Sequence, residues 1–540
     1  MMKLLHIKDL VVEGYSDGCW QPIVDSVSLC LEKGQVLGLI GESGAGKSTL
    51  GLAAMAYTRR GCRIASGTIL FDGISLLDAT EEEQRKIRGT RIAYVAQSAA
   101  ASFNPAHRLI KQYAETPVQH GIMDFNTAVK QAVDTYRRLL LPDPEHIGYR
   151  YPHQVSGGQL QRAMVAMAMA CRPDIIVFDE PTTALDVTTQ IEVLSVIKKI
   201  TDELDTAAIY ISHDLAVVAQ VADRIMVLRH GHLVEENDTR RILADPRQNY
   251  TRQLLAARTF SKDGNGAGAG KTPLLVVENV SASYSGKELV LQNINLKIGR
   301  GRTVALVGES GSGKSTLARV ITGLLPPCEG RIVFDDTELP PDLKSRGREH
   351  MRRLQMIYQM PDTALNPRHK VRKIIGRPLS FYFGMDNRKS EKRILELLEM
   401  TELPADYIER FPGELSGGEK QRICIARALA AEADLIICDE VTSALDQLVA
   451  EEILKLLHRL QDDLGVSYLF ITHDLATVKA IADEVVVMLQ GSVVEQGPKK
   501  IVLDAPRHEY TRRLLSSVPE MDPDWLDELL ETRSTIGFSP

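Results

Sequence analysis

The chain has 540 residues, more than one hydrophobic core sustains, and two units of about 250 residues each suit that length. Its 44% apolar and 25% charged residues are those of a soluble globular protein, and a net charge of −7 argues against nucleic acid as the main partner. No apolar run approaches the ~20 residues needed to span a bilayer, and the N-terminus turns charged at once, so neither membrane insertion nor a signal peptide is expected. The seven cysteines are scattered without a C-x-x-C pair and read as reduced, mostly core residues.

In chain order, strand-like segments (Leu4 to Val12, Ser26 to Leu31) open the first unit. An apolar run, Val36 to Ile40, then leads into Gly41-Glu42-Ser43-Gly44-Ala45-Gly46-Lys47-Ser48, followed by Thr49 and a helix-compatible stretch. This is G-x-x-x-x-G-K-[ST] in its strand–loop–helix setting. Glycines let the backbone curl so that successive N–H groups point at phosphate oxygens, and the helix adds its positive end. Lys47 is placed to reach the β/γ-phosphates and Ser48 to hold Mg²⁺. Further on come Gln97, a loop with Asn104-Pro105, and Val155-Ser156-Gly157-Gly158-Gln159 ahead of a helix pattern, Leu160 to Ala170. Ser-Gly-Gly at a helix start is a second anion site, built from a hydroxyl, two close backbone N–H groups and a dipole. The apolar strand Asp174 to Phe178 ends in Asp179-Glu180, so carboxylates stand at its C-terminal edge, where open α/β sheets bind ligands. Asp179 would orient Mg²⁺ and Glu180 would polarise an attacking water. His213, in Ile-Ser-His-Asp, follows a β-rich run and is read as a γ-phosphate contact.

Everything then recurs. The second loop, Gly308-Glu309-Ser310-Gly311-Ser312-Gly313-Lys314-Ser315 with Thr316, begins at 308, an offset of 267 from Gly41. Gln97 and Gln359 are offset by 262, and Ser156 and Ser416, Asp179 and Asp439, and His213 and His473 by 260. A period this constant is an internal duplication with short indels. The second half therefore supplies its own Lys314, Ser315, Gln359, Ser416-Gly417-Gly418, Asp439, Glu440 and His473. The predicted organisation is a first domain over 1–258, a Gly-rich tether over 259–272, a second domain over 273–519 and an acidic tail over 520–540. Trp525, Leu526, Leu529 and Leu530 give the tail helical spacing, read as a short helix packed on its own domain.

With two phosphate loops, two Ser-Gly-Gly signatures, two Asp-Glu strands, two Ala-Leu-Asp turns (Ala184 to Asp186, Ala444 to Asp446) and two histidines in register, the chain resembles the ABC-transporter ATPase family over nearly its whole length. The resemblance implies an α/β fold of two tandem P-loop NTPase domains. Each would have a mostly parallel sheet core, an antiparallel β subdomain and a helical subdomain. It implies a head-to-tail sandwich of two Mg-ATP, one between the Gly41–Thr49 loop and Ser416-Gly417-Gly418, the other between the Gly308–Thr316 loop and Ser156-Gly157-Gly158. Glu180 and Glu440 would be the catalytic bases, and Gln97 and Gln359 would sense Mg²⁺ and relay to a membrane partner. Tyr284 is the better-placed adenine stacker; Tyr15 is its weaker counterpart because Trp20 and an insertion lie nearby.

The Gln-to-Asn-Pro spacing (Gln97 to Pro105, Gln359 to Pro367) and the closing Pro-Arg-x-x-Tyr-Thr-Arg-x-Leu-Leu of each half (Pro246 to Leu255, Pro506 to Leu515) resemble the oligopeptide/dipeptide/nickel importer branch. That branch implies two integral-membrane permease subunits, a periplasmic or extracellular substrate-binding protein, no nucleic acid, and a peripheral position at the cytoplasmic face of the membrane. Phe103 and Leu365, one residue before each Asn-Pro, are expected as exposed apolar residues facing a permease helix. Val441, Gln447, Val155 and Glu419 depart from the family pattern without removing a catalytic group, so both sites are expected to hydrolyse. The cysteine-rich iron–sulfur extension of several relatives is not expected, since 250–273 and 510–540 contain no cysteine. The competing class, a ribosome-associated tandem ATPase of the ABC-F type, places a long charged helical segment where this chain has a short Gly-rich one. A DNA-repair ATPase would need zinc cysteines or coiled-coil insertions.

Overall fold

The computed structural model describes residues 3–16, 18–182, 185–256, 272–286, 288–443 and 445–535. The expected tether falls outside them except for residue 272, as do Ala184 and Ala444. The chain forms two units, one of Met1–Ala256 together with Pro519–Pro540, the other of Ala257–Val518.

Each unit opens with a four-stranded antiparallel sheet whose apolar pattern changes phase part-way. Leu5 and Ile7 point to the core at alternate positions, and then Leu10 and Val12 do. A strand of period two would send one of these pairs to solvent. The pairing with Cys19–Glu32 slips between Ile7 and Leu10, where Asp9 takes a left-handed φ of 49°. This bulge returns the apolar side chains to the core. The second unit repeats the device: Leu275 and Val277, then Val280 and Ala282, with Asn279 at φ 51°.

The main sheet of the first unit has six strands in the order His232–Asp238, Arg224–Arg229, Val36–Ile40, Ala207–Ile211, Ile175–Asp179, Ile92–Val95. All neighbours are parallel except the antiparallel first pair. Its three central strands are buried at every position, so they read as unbroken apolar runs. The second unit has the same order, Ser492–Pro498, Glu484–Leu489, Thr303–Val307, Ser467–Ile471, Leu435–Asp439, Leu354–Ile357. Between the last and the Asp-Glu strands of each sheet lies a helical region: Leu109–Gln119, Phe125–Arg138 and Gly157–Ala168 in the first unit, Val371–Phe383, Asn387–Met400 and Gly417–Leu429 in the second. The sheet core, antiparallel sheet and helical region are those expected.

The tail corrects its expectation. Trp525–Thr535 is helical, but the segment packs on the first unit, not on the second domain from which it emerges. Leu526 is fully buried. Gln220 donates to the carbonyls of Glu520 at 2.7 Å and Asp522 at 3.0 Å, and its Oε1 accepts from the Leu526 N–H at 3.1 Å. Lys198 pairs with Asp527 and Arg240 with Asp524. Amphipathic spacing shows that a helix has an apolar face but not which surface receives it.

Candidate active sites

Each phosphate loop sits where its central strand gives way to a short helix. Gly46 and Gly313 precede the helices Lys47–Ala53 and Lys314–Ile321 at φ 92° and 101°, a left-handed conformation open to glycine. A Cβ on Gly46 would stand 2.7 Å from the Ile23 carbonyl oxygen. The lysines are buried, and each ammonium bends back over its own loop. Lys47 donates to the carbonyls of Gly41 at 2.7 Å and Glu42 at 2.8 Å; Lys314 donates to Gly308 and Glu309, each at 2.8 Å. The positive charge is thus fixed beside the curled backbone.

The neighbouring strand delivers the carboxylates. Ser48 Oγ donates to Asp179 at 2.8 Å and Ser315 Oγ to Asp439 at 3.0 Å. A hydroxyl and a carboxylate in contact at the phosphate loop are the hard oxygen donors that Mg²⁺ takes together with phosphate oxygens. Burial pushes the Asp439 carboxyl above its ordinary range, against the pull of Ser315 and Lys314.

Glu180 and Glu440 follow at φ 49° and 50°. A left-handed glutamate is strained by roughly 1 kcal/mol, and the strain recurs at both copies. Each Glu N–H still bonds the adjacent strand, Glu180 to Ile211 and Glu440 to Ile471, both at 2.9 Å, so the turn aims the side chain while the main chain stays tied. Gln97 Nε2 donates to Glu180 at 2.8 Å, and Gln359 Nε2 to Glu440 at 2.5 Å. His213 Nδ1 lies 3.5 Å from Glu180 and His473 Nδ1 3.2 Å from Glu440. Burial pulls the His473 imidazole down, but the Glu440 carboxylate outweighs it and the net shift is upward; His213 behaves alike beside Glu180. Burial in turn raises Glu440, while His473 more than offsets it and holds the carboxylate ionised. Each half therefore gathers Lys, Ser, Asp, Glu, Gln and His at one sheet edge. The glutamines stand on the glutamates rather than on the Ser–Asp pairs.

The Ser-Gly-Gly turns are helix caps. Ser156 Oγ accepts from the Gln159 N–H at 3.3 Å, and Gln159 Oε1 accepts from the Ser156 N–H at 3.2 Å; Ser416 and Glu419 do the same at 3.3 and 2.7 Å. These capping boxes start the helices at Gly157 and Gly417, three residues earlier than the apolar pattern indicates. Glu419 serves as well as Gln159, so that departure leaves the turn intact. A Cβ on Gly158 would approach Thr189 to 2.3 Å, and one on Gly418 would approach Val449 to 2.5 Å. Ser156, Gly157, Ser416 and Gly417 are exposed, with the turn open to solvent.

The sequence pattern of the family described as ABC transporter matches residues 24–183 and 291–443. The chain belongs to the ABC transporter family. The pattern described as oligopeptide/dipeptide transporter, C-terminal region, matches 494–536 of this ABC ATPase. It is 36% identical to the glutathione import ATP-binding protein GsiA of Pectobacterium atrosepticum, over 100% of this chain and 94% of that protein. The GsiA of Salmonella typhimurium is also 36% identical, over 96% of this chain and 90% of its own length. Among solved structures, cbiO1 from Clostridium perfringens, part of the ABC transporter complex cbiONQ, is 31% identical over 44% of this chain and 92% of its own, with a TM-score of 0.41.

Two further residues of this ABC ATPase touch the loops without having announced themselves. The Tyr250 hydroxyl accepts from the Glu42 N–H at 3.1 Å, and the Tyr510 hydroxyl accepts from the Glu309 N–H at 2.9 Å. Both belong to the closing Pro-Arg-x-x-Tyr motifs, which Glu235 and Glu495 pin by accepting backbone N–H groups from 247–248 and 507–508. The duplication of that motif was the available signal. Tyr284 is exposed, with its hydroxyl 3.3 Å from Thr316 Oγ1 and accepting from Arg319 at 3.0 Å. Tyr15 pairs across its hairpin with Trp20, ring centroids 5.3 Å apart, and Arg63 covers the Trp20 ring. Phe103 and Leu365 correct their expectation. They are 4% and 2% exposed, and they pin the Gln–Asn-Pro loops to their own domains.

Proposed function

We propose that this ABC ATPase is the motor subunit of an importer for peptides or similar small solutes, as the names of its glutathione-import relatives suggest. The single observation that carries the reading is that both halves assemble the complete Lys–Ser–Asp–Glu–Gln–His set at the same sheet edge. Two Mg-ATP would bind head to tail, each between one half's phosphate loop and the other half's Ser-Gly-Gly turn. The loop N–H groups and Lys47 or Lys314 would hold the phosphates, and Ser48–Asp179 or Ser315–Asp439 would hold Mg²⁺, which would supply neutralisation of charge on the phosphate oxygens. Glu180 and Glu440 accept the proton of the attacking water, while His213 and His473 orient those carboxylates and contact the γ-phosphate. Gln97 and Gln359, each bonded to a base, link it to the loop that follows. No helix among the described residues is long and apolar enough to cross a membrane. The motor would sit at the cytoplasmic face, docked on two permease subunits fed by a substrate-binding protein.

The docking segments are the loops Gln97–Pro105 and Gln359–Pro367. Since Phe103 and Leu365 are buried, the contact surface in the first half is better sought in the adjoining groove of His107, Arg108, Lys111, Phe125, Tyr149 and Tyr151. Phe125 and Tyr149 are each 48% exposed there. Phe125→Ser with Tyr149→Ser is expected to leave soluble ATPase activity largely unchanged and to abolish copurification with the permeases from solubilised membranes. Copurification at wild-type yield would refute the docking assignment, and cosedimentation with ribosomes instead would favour the ABC-F class.

A further inference from the structure

The two Asp-Glu strands lie beside edge strands that match position for position. Tyr94 stands opposite Val177, two residues before Asp179, and Met356 stands opposite Ile437, two residues before Asp439. Both side chains are half-buried and pack against their own domain's core. Only the first carries a polar atom, and it is used: the Tyr94 hydroxyl donates to Asp179 Oδ2 while Ser48 donates to Oδ1. Both oxygens of Asp179 are engaged. Among the described residues, the Asp439 carboxylate receives a hydrogen bond from Ser315 alone.

The slot does not need a hydroxyl for packing, because Met356 fills it in the second half with no polar contact. What tyrosine adds is therefore the bond to Asp179. A hydroxyl donated to a carboxylate is a charge-assisted bond, and outer-shell bonds of this kind fix the orientation of a metal-holding group before the cation arrives. The surrounding charges differ as well. In the first half the Arg59 guanidinium lies against the Tyr94 hydroxyl, while in the second Arg319, five residues after the loop lysine where the first half has Leu52, bonds Tyr284 and acts on Asp439 from a distance. A distant cation lowers the energy of an ionised carboxylate but does not fix its rotamer. Resting on the proposed role of Asp179 in holding Mg²⁺, we infer that Tyr94 is a positioning residue of the first ATP site, locking the Asp179 carboxylate in its metal-holding orientation, so that the two sites of this chain hold divalent cation unequally.

The test uses the full chain with Mn²⁺ as an EPR-visible probe and ADP as nucleotide. Asp439→Asn removes metal binding from the second site and leaves the first to be read alone. In that background Tyr94→Phe should weaken Mn²⁺ binding by about tenfold, the lower end of what loss of an outer-shell partner costs. Nucleotide affinity measured in EDTA should not change, a separation that a packing defect would not produce. Tyr94→Met, which installs the second half's own residue, should behave as Tyr94→Phe does and guards against a local misfit of the ring. Unchanged Mn²⁺ affinity in both variants overturns the inference. If Asp179→Asn with Asp439→Asn still binds two Mn²⁺, the metal-holding role of the aspartates fails, and the inference falls with it.

Discussion

At the residue scale, the two glutamates proposed as bases are the informative groups. Glu180 and Glu440 were legible as candidates because each follows an apolar strand and an Asp, but their left-handed backbone was not. Nothing in Asp-Glu dictates that φ; it arises because the Glu N–H stays bonded to the neighbouring strand while the chain turns away. Tyr250 and Tyr510 were legible only as markers of the repeat. Their contacts with Glu42 and Glu309 close over 208 and 201 residues, and local patterning carries no trace of such a pairing. A single neutral hydrogen bond contributes about 1 kcal/mol, so Tyr250→Phe with Tyr510→Phe should raise the nucleotide dissociation constant by roughly fivefold. A fluorescent-nucleotide titration reads the change. An unaltered constant would mean that these hydroxyls merely tie each domain's last helix in place.

At the element scale, the Ser-Gly-Gly helices join two roles in one residue. Ser156 caps its helix and also stands in an exposed turn proposed to bind anion. Aspartate is as good an N-cap as serine, but its charge repels phosphate. Ser156→Asp should therefore keep the melting temperature near the wild-type value while steady-state ATPase activity falls by about tenfold or more, since a hydrogen bond to a charged group is worth about 1.5 kcal/mol or more. Calorimetry and a phosphate-release assay on one preparation decide between the roles. Full activity would show the turn to be only a cap. The helices themselves were legible from apolar spacing, but their first turns were not, because Gly157 and Gly158 carry no hydrophobic signal. The antiparallel sheets show the same limit: the phase change from Ile7 to Leu10 has a meaning only once the bulge at Asp9 is seen.

At the scale of the molecule, the duplication was readable in the sequence, since offsets of 260 to 267 link every motif. The destination of the tail was not, because the helix spacing of 525–530 is compatible with any apolar surface. Its ion pairs, Lys198–Asp527 and Arg240–Asp524, are solvent-exposed and contribute little. Full burial of Leu526 is worth about 2 kcal/mol, so that side chain and the buried Gln220 dominate the docking. Leu526→Asp should release the tail, seen as faster proteolysis within 519–535 while both phosphate-loop domains stay intact. Proteolysis at the wild-type rate would contradict that assignment.

The proposed motor stands on ATP hydrolysis with Glu180 and Glu440 as bases. The most direct measurement is steady-state turnover and nucleotide retention in Glu180→Gln with Glu440→Gln. Glutamine keeps the shape of the side chain and its place beside Gln97 and Gln359, and removes only the proton acceptor. The double variant should bind ATP and retain it unhydrolysed. Repeated turnover near the wild-type rate would contradict it.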